Sequence, residues 1–159
     1  MTRRLLYVAH PVAATDAQIE ARSDAYIHRA TAERIIRRDN IRCATRWLGW
    51  LRASFPEDTF IAPWIASMQS LEGDDSPELR EAGLVDDCVV VGRCDGIVLC
   101  GNRVSGGMAR ERDHGRASSH DDFIVYDITV LAQREPPAIG GHGLDIGEWM
   151  AQIAFARPS

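Results

Sequence analysis

The stretch Asp95–Glu111, DGIVLCGNRVSGGMARE, decides how the chain is read. It opens with an apolar run from Ile97 to Cys100, turns at Gly101 and Asn102, and reaches Ser105, Gly106 and Gly107 before Glu111. This order predicts a strand, a loop of phosphate size and a helix start. Amides at a helix N-terminus lack intrahelical acceptors and carry partial positive charge, so Ser105, Gly106 and Gly107 are candidates for an anion cradle. Glu111 falls one helical turn further in, where a carboxylate can face whatever the cradle holds.

Working outward, Leu5 to Ala9 is an apolar run stopped by His10 and Pro11, the pattern of a central strand in a parallel sheet. Tyr7 then points toward the ligand end or serves as a core tyrosine, and His10 either touches a ligand or merely ends the strand. Residues 13–38 are polar and helix-prone, an insertion that reads as a lid over the crevice, an oligomer contact or a surface helical hairpin. From Asn40 the 3.6-residue period sharpens through Ile41, Ala44, Trp47, Leu48 and Leu51, with Asp39 or Asn40 as the cap. Thr59 to Ala62 makes a second short strand before Pro63. Trp64 just beyond it is placed to stack on a base or to fill the core.

EGDDSP reads as a turn, and Ser76 followed by Pro77 starts a helix. CVVV, GRCDG and IVLC fit a hairpin as well as a helix end followed by a strand. After the cradle, 106–117 is rich in arginine and poor in large apolar groups, a thin basis for packing on a sheet. Phe123 to Tyr126 is a fourth strand, 134–143 an irregular loop, and Leu144 to Ala156 a closing amphipathic helix or subunit contact.

Composition sets the bounds. The 159 residues fit one domain, 1–159, and 45% hydrophobic content fits a folded core. A net charge of −5 gives no reason to expect nucleic-acid or membrane binding. All 18 basic residues are arginine, which excludes Schiff-base chemistry and a P-loop lysine. Cys43, Cys88, Cys94 and Cys100 lack CxxC spacing and read as buried thiols, so neither a metal nor a cofactor is expected. The apolar run after Arg3 and Arg4 is too short for a signal peptide, and no run suits a membrane span, so the expected location is cytoplasmic.

Tyr7 in LLYVAHP, Asp87 in LVDDCVVVGRCD, and Ser105 with Glu111 in SGGMARE together resemble the nucleoside 2-deoxyribosyltransferase superfamily, most closely its nucleotide N-glycosidase branch. The likeness covers residues 3–12 and about 40–127. It implies a flavodoxin-like, doubly wound α/β domain with a mostly parallel sheet of about five strands. It implies Glu111 as nucleophile or stabiliser of an oxocarbenium-like state, Asp87 as the second acidic group, and Tyr7 holding the glutamate. Asp86 is adjacent to Asp87, and without the resemblance Asp87 reads as an exposed helix carboxylate. Relatives acting on free nucleosides commonly carry aspartate where Ser105 stands. Aspartate repels phosphate and a hydroxyl donates to it, so a nucleoside 5′-monophosphate is the expected ligand. Arg103 or an arginine of the insertion can add to its binding. Deoxyribose transfer and non-catalytic nucleotide sensing stand beside hydrolysis, and a homodimer or larger assembly is implied.

Overall fold

The computed structural model describes residues 3–24, 27–70, 76–118, 122–138 and 145–156, with side chains to 152 in the last segment. Residues 72–75 of the expected EGDDSP turn and the GGHG stretch at 140–143 lie outside that set. In chain order the elements are β1 (Leu5–Ala9), α1 (Asp16–Arg22), α2 (Arg29–Ser54), β2 (Thr59–Ile61), α3 (Pro63–Ser70), α4 (Pro77–Val91), β3 (Gly96–Leu99), α5 (Gly106–Ser118), β4 (Ile124–Asp127) and α6 (Ile146–Ala156). A 3-10 turn, Ile128–Leu131, follows β4.

The sheet is parallel throughout, in the order β2-β1-β3-β4, with Tyr7 opposite Ile61 on one side and Ile97 on the other. Four strands stand among the described residues where about five were expected. Strand side chains alternate between faces. Leu6 and Val8 meet Trp47, Trp50 and Leu51 of α2 and Trp149 of α6, whereas Tyr7 and Ala9 meet Trp64, Val91 and Met108 from α3, α4 and α5. Helices therefore cover both faces, as a doubly wound α/β fold requires. The chain steps outward from β1 to β2 and then back across β1 to β3. That reversal places the crevice of the fold at the C-terminal ends of β1 and β3.

Two helices depart from the sequence expectation. The helix expected from Asn40 begins at Arg29 and runs 26 residues, so Asp39 and Asn40 lie inside it rather than capping it. Asn40 is buried and its amide donates to the Val12 carbonyl at 3.0 Å, which sets that point of α2 level with the end of β1. A helix of this length spans about 39 Å against roughly 17 Å for a five-residue strand, so 29–39 stand beyond the sheet. There they pair with α1 around a small core of Ile19, Ala32 and Ile36. The 13–38 insertion is thus a helical hairpin continuous with the first packing helix, and α1 opens with a Thr15–Gln18 capping box. The second departure is α3. Pro63 occupies its first position, where the missing amide costs nothing, and so begins a helix as well as ending a strand.

The arginine-rich α5 packs by yielding space rather than filling it. It buries only Met108, Glu111 and Gly115. A Cβ on Gly115 would lie 2.2 Å from Cζ of Phe123, so the ring occupies the place of the missing side chain. No helix among the described residues is long and apolar enough to cross a membrane.

Candidate functional site

Tyr7 lies mid-strand on β1, fully covered, and its hydroxyl donates to Glu111 Oε1 at 3.0 Å. Glu111 is 6% exposed, the most buried position a carboxylate on α5 takes. Asp87 of α4, half-buried, lies close enough for its charge to raise both the Tyr7 phenol and the Glu111 carboxyl. The helices explain the meeting. A Cβ on Gly107 of α5 would lie 3.8 Å from Leu84 Cδ1 of α4, so the two helices run close there. One turn further along each helix, Glu111 and Asp87 reach the same level over Tyr7. Asp87 is therefore turned toward the interior, and Asp86 beside it is exposed.

Electrostatics follow from burial. Desolvation, then the charge of Asp87, pushes Glu111 up to about 8, opposed by the Tyr7 bond. Desolvation raises Asp87 to about 6, again opposed by Tyr7 and reinforced by Asp86. The Tyr7 phenol is driven upward by burial and by both carboxylates, so it stays a donor. Two carboxyls coupled through charge titrate as a pair, and near neutral pH the pair holds about one proton between them. It thus offers an acid beside a base, the requirement of glycosidic chemistry.

The other expected residues divide. Ser105 caps α5, its Oγ accepting from the Met108 amide at 3.4 Å, and the space where a Gly106 Cβ would point is open to 4 Å. From Ser105 to Glu111 the helix rises about 9 Å, the scale of a sugar phosphate. Arg103 donates to the Ala13 carbonyl at 2.8 Å and so ties the loop after β3 to the start of the hairpin. Trp64 is a core residue: it is 5% exposed and its indole donates to the Val8 carbonyl at 2.8 Å, which leaves no face for a base.

His10 sits at the switch point. The Pro11 carbonyl, 2.8 Å from Nδ1, can only accept, so the proton resides on Nδ1. Nε2 is buried without a hydrogen-bond partner, and desolvation lowers the ring to about 4, keeping it neutral at pH 7. Gly101, at φ +93, makes room for it: a Cβ there would stand 3.0 Å from Nε2. Sequence reasoning missed what lies over this corner. The loop after the 3-10 turn brings Arg134 and Glu135 close enough for their charges to act on His10. It is pinned to α2 by Trp47 donating to the Arg134 carbonyl and by Arg46 gripping both Glu135 oxygens. Nothing in the spacing of 132–138 signals this, because the anchor is a pair of side chains about ninety positions away.

Fold and site together define a class: a doubly wound α/β protein with a buried tyrosine-held glutamate and a neighbouring aspartate under its switch-point crevice. The chain belongs to the family described as a domain of unknown function, DUF7768, which matches residues 4–121. Tyr7, Asp87, Ser105 and Glu111 all fall within the matched stretch, whereas β4 and α6 lie beyond it. No curated protein and no solved structure matches the chain.

Proposed function

We propose that this protein hydrolyses the N-glycosidic bond of a nucleoside 5′-monophosphate. The observation that carries the reading is the buried Tyr7–Glu111 bond with the Asp87 carboxyl near enough for its charge to act on both, since it sets an acid beside a base. Bond cleavage builds positive charge at the anomeric carbon, which an ionised Glu111 attacks or stabilises, while the leaving base takes a proton from the pair. The higher value belongs to Glu111, which alone favours it as proton carrier. Tyr7 favours its ionised form, and the cationic transition state favours that form further, so the proton passes to the Asp87 side as the reaction proceeds. Ser105 and the α5 N-terminus take the phosphate.

With Glu111 only 6% exposed, the crevice must open wider than it does in this structure for a sugar to reach it. Deoxyribose transfer uses the same groups with a second base in place of water. Nucleotide sensing uses only the cradle. A cytoplasmic location and assembly as a dimer or larger belong to the same reading. The deciding experiment incubates wild type and Glu111→Gln with nucleosides and their 5′-monophosphates and follows free base by chromatography. We expect release from monophosphates by wild type, and a loss of at least about 100-fold in the variant. Undiminished release by the variant removes Glu111 from the chemistry.

A further inference from the structure

α4 covers the site with one side and leaves the other bare. Cys88 and Val91 are buried, and Asp87 turns toward Tyr7. The opposite side carries Glu78, Ala82, Val85, Val89 and, just past the helix end, Arg93, all exposed. Their spacing of four, three, four and four residues puts them in one stripe. Val85 and Val89 are 46% and 48% exposed, two of the four large apolar side chains so exposed among the described residues. The N-terminal half of the stripe is concave. Pro77, Glu78, Ala82 and Val85 line a shallow groove of about 630 Å³, with Glu81 and Asp86 at its edges.

The stripe is complementary to itself when reversed. Its first member is an anion, its last a cation, and its middle is apolar. Glu81 is already engaged by Arg110 at 2.7 Å, and Asp86 stands on the shoulder. We propose that a second copy of this chain covers the face, α4 packing antiparallel on α4 about a two-fold axis near Val85. Val89 of each copy enters the groove beside Ala82 of the other, and Arg93 of each meets the other's Glu78. The contact is isologous, so each charge pair forms twice and the assembly closes as a dimer. An arginine stem laid along the valines covers apolar surface while its head reaches the carboxylate. The pairing stands on surface complementarity and does not depend on the reaction proposed above.

Sedimentation velocity of the full chain across a range of concentrations tests it. Wild type is expected to pass from monomer to dimer as concentration rises. Glu78→Arg places two like-charged pairs at the contact, as does Arg93→Glu, and each is expected to weaken association by about ten-fold or more. An equimolar mixture of the two variants regains the dimer, because the mixed pair has opposite charges at both ends. Val85→Glu abolishes the dimer in every combination. A wild type that stays monomeric at all concentrations overturns the proposal, as does a mixture no more associated than its components. Circular dichroism confirms that each variant is folded.

Discussion

Burial holds the Glu111 carboxyl up at about 8, while the Tyr7 hydroxyl pulls the other way. The linkage to stability has a definite sign. The folded state keeps a proton that the unfolded chain releases near the ordinary glutamate range, so this contribution is complete below that range and is lost as pH rises through about 8. Glu111→Gln, isosteric and uncharged, should therefore gain on the native protein as pH rises, by on the order of a few kcal/mol above pH 8. Thermal melts of both proteins at pH 5 and pH 9 measure it, and a constant difference between them contradicts the burial argument. Turnover has a matching signature. A pair holding one proton gives a bell-shaped profile with limbs near the Asp87 and Glu111 values of about 6 and about 8. Tyr7→Phe removes the bond that favours ionised Glu111, so the limb belonging to Glu111 should move to higher pH.

Among the elements, β3 lacks slack that any side-chain motion could supply. A Cβ on Gly96 would stand 2.5 Å from the Ile124 carbonyl oxygen and 3.1 Å from Leu6 Cδ2. The first of these is sheet backbone that cannot swing aside. Gly96→Ala should destabilise the protein by about 1–3 kcal/mol or more, read as a lower denaturation midpoint with little change in slope. In α2 the corresponding point is Asn40, whose amide meets the Val12 carbonyl from inside the helix. Asn40→Leu keeps the branching of the side chain and leaves that carbonyl without its donor, a loss of about 1–3 kcal/mol. The same change should loosen the hairpin from the sheet, so α1 should become more susceptible to limited proteolysis while the α2 C-terminal half does not.

At the scale of the molecule, the hairpin has a core of its own, separate from the two clusters that sandwich the sheet. Few buried apolar groups hold it, so hydrogen exchange should release α1 and the first turns of α2 well before β1 and β3. Equal protection of α1 and β1 would contradict that division. The chain's own pattern was enough to determine much of the sheet. Leu5–Ala9, Thr59–Ile61 and the run before Asp127 are short, apolar and bounded by turn or proline signals, and burial on both faces leaves such runs little alternative, whereas the run after Asp95 fits a hairpin equally well by pattern alone. Ser76-Pro77 and the SGG bend likewise mark helix starts whose physics is local. The hairpin's continuity with α2 was not legible, because polar helix needs a neighbour to show which side is inward. Only tertiary structure turned Asp87 inward, put Trp64 in the core and brought Arg134 and Glu135 over His10. Glu111 and Tyr7 are 104 positions apart. Their encounter is set by how α5 lies on the sheet, a long-range fact that no local periodicity encodes.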